Sequence, residues 1–284
     1  MLRFWLVIVT LIATLPAFAE VPVTGRVQHM QFTNDQVQTV AAQTYQKELS
    51  RLAAQGKLDT DNGTLLRVRH LCSHLIAQAV ELKPAAANWP WEVHITSDHQ
   101  VAAYSMAGGK ILVGTRFIES YKLSDNELAV ALAHEIGHVI AEHVREQMSQ
   151  AASFEPEVPN RKVHIVDVLN SMQSDISVYF RLQPLSRLQE LEADDIGIQL
   201  AARAGVPPSA VVSFYHKLTR NNAAQSVFDT HGPSYQRVQF IQSMANFALP
   251  VYRASHGTHL PSYAFTNLMP GLNNSEVIKA MHRQ

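Results

Sequence analysis

Apolar residues recur at the helical period along most of this chain, interrupted by one short stretch with the character of strands. Val37, Val40, Ala41, Tyr45, Leu49 and Leu52 mark a first helix, which Thr33 or Asn34 can cap and Gly56 can stop. Leu65, Val68, Leu71, Cys72, Leu75, Ile76 and Ala79 share one face of a second helix over residues 64–80, closed by Pro84. Cys72 lies within that stripe and so reads as a small buried apolar residue. Val93-His94-Ile95 and residues 101–106 then read as strands, and Gly108-Gly109 turns the chain into Lys110-Ile111-Leu112-Val113, a hairpin signal. His94 and His99 flank these strands and are expected at the surface.

Ser124-Asp125-Asn126-Glu127 is a capping box: the serine caps a helix and the glutamate three residues on reaches back to it. The helix it opens is expected to run to about residue 148, followed by a polar loop bearing Pro156 and Pro159. Residues 163–182 have helical spacing, residues 186–204 form a helix stopped by Gly205, and Pro207-Pro208-Ser209 and Pro233-Ser234 each begin another. Residues 251–284 show no clear pattern, and there is no internal repeat. The sum is a predominantly helical α+β fold with a small antiparallel sheet beside the helix opened by Ser124.

The start of the chain differs from the rest. Arg3, the apolar run 4–15 and the small-x-small triplet Ala17-Phe18-Ala19 predict a signal peptide over residues 1–19, cleaved after Ala19. Pro16 interrupts the run early, and a spanning helix needs about 20 apolar residues, so no membrane span is expected in the mature chain. Export predicts a soluble protein, periplasmic in a Gram-negative source. With 23 Lys+Arg against 24 Asp+Glu, the net charge of -1 argues against nucleic acid as a partner. One cysteine excludes an internal disulfide framework and any cysteine-based zinc finger. Stability must come from packing or from a metal. The 14 histidines stand out, being more than half the Lys+Arg count.

His134-Glu135-Ile136-Gly137-His138 lies inside the capped helix. Residues four apart share a helical face, so both imidazoles can point at one ion, and neutral imidazole suits Zn²⁺. Glu135 can reach a water at that ion, accept its proton and later pass it to a leaving amine. Leu128, Ala129, Leu132, Ile136, Val139 and Ile140 surround the motif. Polar groups buried among such residues need partners, which a metal supplies.

A catalytic zinc takes a third protein ligand and leaves one position open. Glu157 is one candidate, but Pro156 and Pro159 oppose the continuous helix that would present it. The other lies in Glu190-Leu191-Glu192-Ala193-Asp194-Asp195, where Glu190 and Asp194 share a helical face. One of these can ligate while the other accepts the N–H of a ligating imidazole. Ala193 would let the two helices approach closely, and Glu192 and Asp195 are expected to be surface charges.

His134, Glu135 and His138, then Glu190, Ala193 and Asp194, reproduce the H-E-x-x-H and E-x-x-A-D motifs of a known family. In these residues the chain resembles the zinc metalloendopeptidases comprising the CAAX prenyl endopeptidases, HtpX and the periplasmic protease BepA. The resemblance implies a zincin-type fold, one Zn²⁺ per chain, and Glu190 as the third ligand with Asp194 supporting an imidazole. Residues 102–109 resemble the family's edge strand, with Ala102 and Ala107 where Asn and Pro are usual, which implies that Ser105 and Met106 contact substrate. Thr230-His231-Gly232 with Arg237 resembles a downstream T-H-P segment and its arginine, Gly232 standing in place of Pro. By that likeness His231 lies near the metal, as a switchable ligand or as a donor to the transition-state oxyanion. Arg237 is expected to hold that loop or a nearby carboxylate. His143 is expected to face solvent.

The expectation is therefore a minimal periplasmic metalloendopeptidase with its domain over residues 20–250, a tail over residues 251–284 and no helical-repeat domain. Its implied partners are polypeptide substrates, such as unfolded or misassembled envelope proteins, and its implied role is protein quality control. Residues 163–182, between the two ligand helices, are a candidate lid. An exopeptidase using the same metal and a latent, chaperone-like zinc-binding protein are the alternatives.

Overall fold

A computed structural model of the chain describes residues 17–154, 163–220 and 235–255, together with Tyr263. The expected cleavage point falls within the first element. Strand β1 (Ala17–Glu20) pairs antiparallel with β2 (Val27–Met30), a hairpin that the hydrophobic pattern did not indicate. Helix α1 (Asn34–Ala54) starts from a capping box between Thr33 and Gln36, and α2 (Asn62–Leu82) from the Asp61 side chain, which accepts the Thr64 N–H. Cys72 is fully buried in α2, and burial pushes its thiol up to about 12.

Strands β3 (Glu92–Thr96), β4 (Ala103–Met106) and β5 (Lys110–Gly114) form one sheet in the order β3-β5-β4. The hairpin at Gly108-Gly109 makes β4 antiparallel to β5, but β3 runs parallel to β5, so the sheet is mixed. β5 is buried along its whole length, as a central strand covered on both faces should be. β4 is left as an edge strand beside the ligand helix.

After the short α3 (Thr115–Ser120), α4 (Asp125–Ile140) begins at the Ser124–Glu127 capping box. Leu128, Leu132, Ile136 and Ile140 are fully buried, in one core with Val68, Leu75 and Ile76 of α2 and Ile111 and Val113 of β5. The helix ends earlier than its pattern predicts. Glu142 adopts left-handed φ 55° and ψ 35°, and α5 (His143–Ala152) starts on a new axis. Lys83 and Arg145 hold the Glu142 carboxylate at 2.7 Å each, fixing the residue in this uncommon conformation.

The next break also falls earlier than the pattern predicts, at Asp175 rather than between residues 182 and 186. Helix α6 (Ile165–Ser174) stops at Asp175, whose side chain caps α7 (Ile176–Arg203), and α7 then continues through Pro184. A proline inside a helix costs about 3 kcal/mol. Burial of Val178 and Leu182 in a second core with Phe32, Val37, Met148 and Val168 offsets it. Helices α8 (Pro208–Arg220), α9 (Tyr235–Phe247) and α10 (Leu249–Ser255) complete the described chain. Tyr263, in the expected tail, donates its N–H to Ser73 O at 2.9 Å and its hydroxyl to Ala87 O at 3.2 Å. Among the described residues no helix is long and apolar enough to cross a membrane.

The crossing of α4 and α7 positions the site. A Cβ on Gly137 would lie 2.9 Å from Ala193 O, and one on Gly197 would lie 2.9 Å from His134 Cα. Only hydrogen at these two positions allows the backbones to meet this closely. Ala193, itself fully buried, completes the contact, as its size led us to expect.

Candidate metal centre

Helix α4 presents His134 and His138 one turn apart, and α7 presents Glu190 opposite them. The His134 and His138 Nε2 atoms are 3.1 Å apart. Glu190 Oε2 is 3.5 Å from His134 Nε2, and its Oε1 is 3.4 Å from His138 Nε2. Zinc–nitrogen and zinc–oxygen bonds of about 2.0–2.1 Å in a tetrahedron place ligand atoms about 3.3 Å apart. The three observed edges bracket that value. Two imidazole nitrogens and one carboxylate oxygen form a zincin donor set, so the residues fit a zinc ion and, among the described residues, leave a fourth corner free.

Both Nδ1 atoms lie close to buried partners. His134 Nδ1 lies 2.9 Å from Asp194 Oδ1. Asp194 also accepts from Arg237 Nε at 2.6 Å, Arg237 Nη2 at 2.8 Å and the Tyr215 hydroxyl at 2.6 Å. Arg237 Nη1 reaches Glu190 Oε2 at 3.0 Å, so a single guanidinium ties the two carboxylates of α7 together. His143 Nδ1 lies 2.9 Å from His138 Nδ1.

The charges follow from these contacts. Burial alone would raise Asp194, but the Arg237 cation outweighs it and holds the carboxyl down at about 2. Burial likewise opposes protonation of His134, yet Asp194 and Glu190 overcome it and raise the imidazole to about 10. His138 is governed by burial, only partly countered by Glu190, and falls to about 3. The two carboxylates around His134 supply the negative charge a divalent ion would neutralise.

Glu135 and His134 line a hollow with Ala103, Ala131, Phe117, Phe214 and Arg237. Ser105, Met106 and His138 line a second hollow with Ala107, Val139 and Glu142. The Ser105 hydroxyl donates to Glu135 O at 3.0 Å, which locks β4 to the ligand helix. Beyond β5, β4 pairs with no strand among the described residues, and Ala103 at its start and Ser105 and Met106 at its end line the two hollows.

The structure thus brings together His134, Glu135, His138, Glu190, Asp194, Arg237, Ser105 and Met106. Glu157 and His231 lie outside the described residues. Three expectations are corrected. His143 does not face solvent but is 1% exposed, because the break at Glu142 folds it back beneath His138. Glu192 is 4% exposed, not a surface charge, because Arg26 from the N-terminal hairpin and His143 cover it. His94, expected at the surface, is half-buried between Asp59 and Glu92. Tyr215 and Arg26 were missed altogether. Neither carries a local pattern, since each meets its partner only through tertiary folding.

Two imidazoles and a carboxylate on crossing helices, beside a strand at the edge of its sheet, form a zincin-like site. The chain belongs to peptidase family M48, whose family model matches residues 66–245. It is 34% identical over 169 residues to a mitochondrial metalloendopeptidase OMA1 of Arabidopsis thaliana, a match covering 57% of this chain and 34% of that protein. It is 31% identical over 157 residues to the metalloprotease YcaL of Escherichia coli, covering 54% and 60% of the two chains. A beta-barrel assembly-enhancing protease of Yersinia pestis is 25% identical over 209 residues, or 68% of this chain and 41% of that one. The chain therefore spans between 34% and 60% of the length of these relatives.

Proposed function

We propose that this chain is an exported zinc metalloendopeptidase that cleaves peptide bonds within proteins. The tetrahedral spacing of His134, His138 and Glu190 carries the reading. When bound, a zinc ion supplies Lewis acidity, polarising the scissile carbonyl and activating water near neutral pH. Glu135, one residue along from the first ligand, accepts the proton of the attacking water and returns it to the leaving amine. Asp194 and Arg237 hold His134 and Glu190 in place. His231 belongs to the same proposal as a donor to the developing oxyanion.

The open edge of β4, at Ser105 and Met106, pairs with an extended substrate backbone. Backbone pairing gives loose sequence preference, which suits unfolded or misassembled envelope proteins and a role in quality control. The likeness to a protease of Yersinia pestis named for enhancing beta-barrel assembly supports that choice of substrate. Residues 1–19 as a cleaved signal peptide, residues 20–250 as the catalytic domain and the periplasm as the compartment complete the reading.

The test uses an internally quenched peptide blocked at both ends, with metal content read by mass spectrometry. One zinc per chain and cleavage of the blocked peptide are expected. Glu135→Gln should keep the metal and lose roughly 10²–10⁴-fold in rate. Cleavage only of peptides with a free terminus would make the protein an exopeptidase. Unchanged function of Glu135→Gln would make it a zinc-binding protein without catalysis.

A further inference from the structure

The Nδ1 contact of His138 has no assigned purpose. On an uninterrupted helix a residue five positions on lies about 140° around the axis, too far to meet the first. The left-handed Glu142 ends α4 and returns His143 to His138, with ring centroids 4.9 Å apart and planes at 77°. His143 Nε2 in turn lies 3.3 Å from Glu192 Oε2. Glu192 is gripped by Arg26 through Nε at 2.7 Å and Nη2 at 2.8 Å, and Arg26 Nη2 also reaches Glu146 Oε2 at 2.7 Å.

The proton positions along this chain of contacts are constrained. His138 Nε2 faces His134 Nε2 and Glu190, so ligation uses Nε2 and leaves the His138 proton on Nδ1. Two Nδ1 atoms at 2.9 Å share one proton, so the Nδ1 of His143 must be the acceptor. The remaining His143 proton then sits on Nε2, facing the Glu192 carboxylate. The opposite arrangement, with His143 donating, would place a proton on His138 Nε2 and destroy the ligand.

We propose that His143 is the positioning residue of the second imidazole ligand, holding His138 in its Nδ1–H tautomer, with Glu192 and Arg26 fixing His143 behind it. This rests on the reading that His134, His138 and Glu190 hold a divalent ion. The first ligand is supported by carboxylate and guanidinium directly, through Asp194 and Arg237. The second is supported by the same pair of groups through an interposed imidazole.

Zinc affinity is measured by competition with a chromophoric chelator for wild type, His143→Ala and His143→Gln, alongside the melting temperature of each metal-free protein. His143→Ala should bind zinc about 10–100-fold more weakly. His143→Gln should recover much of that loss, since its amide oxygen can accept from His138 and its amide nitrogen can donate to Glu192. A purely structural role would lower the melting temperature of both variants and leave the affinity of the folded protein at the wild-type value, overturning the proposal. Nitrogen-15 long-range correlation spectra of zinc-loaded wild type give a second readout should His143→Ala fail to fold. They should show His143 protonated at Nε2 and bare at Nδ1; the reverse tautomer overturns the proposal. A wild-type protein that takes up no metal would remove the metal reading as well, whereas zinc uptake unaffected by either substitution removes only the role of His143.

Discussion

Gly197 lies against the backbone of His134: a Cβ there would come within 2.9 Å of both the Cα and the N of the first ligand. The separation of α4 and α7 is therefore set by the absence of a side chain. Gly197→Ala would gain about 1 kcal/mol of helix propensity. Overpacking against a rigid backbone costs about 1–3 kcal/mol and would push Glu190 away from the imidazoles. The cost should win. The variant should melt lower and bind zinc more weakly, both read by calorimetry with and without the metal.

Glu190 should be essential to metal retention and Glu157 dispensable. Mass spectrometry of the purified variants should find zinc in Glu157→Ala and little or none in Glu190→Ala. Loss of zinc on substituting Glu157 instead would reassign the third ligand.

Arg237 neutralises two buried carboxylates, so its removal should be costly. Arg237→Ala leaves Asp194 and Glu190 without their cation, an effect on the order of 3–5 kcal/mol. A bound divalent ion also neutralises Glu190, so the loss of melting temperature should be larger in the metal-free protein than in the loaded one. Arg237→Lys should recover only part, because an ammonium cannot span both carboxylates as the guanidinium does.

The Glu127 carboxylate ties α4 to α8 and should give a signature at acid pH. Burial opposes its ionisation, but hydrogen bonds from Lys217, Ser213 and Ser124 prevail and hold it down at about 2, below its ordinary 4.5. A group depressed in the folded state stabilises fully above its unfolded value and ceases to do so as pH falls through its folded value. The stability difference between wild type and Glu127→Gln should therefore be constant above about pH 5 and shrink towards pH 2. Urea midpoints across that range check it.

Much of this was legible without coordinates, for local reasons. The Ser124–Glu127 capping box, the Gly108-Gly109 hairpin and the His134–His138 face each depend on residues within one turn of one another. Where the pattern misled, a contact outside the helical period intervened. Helix α4 ends at Ile140 where Lys83, distant in the chain, captures Glu142, and α7 passes through Pro184 because Val178 and Leu182 find a second core. His143 and Glu192 looked like solvated polar residues for the same reason. Their partners, His138 across a helix break and Arg26 on the N-terminal hairpin, share no periodicity with them.

The amino-acid order by itself determined the imidazole pair on one helix, the carboxylate beside it and the pairing of Glu190 with Asp194 on another, because helical geometry relates residues three or four apart. Only the tertiary structure decided how far the two helices stand apart, which carboxylate turns to the imidazoles and what lies behind each of them. Those are long-range distances, set by where Gly137, Ala193 and Gly197 let backbones touch and by which buried charges must find a partner.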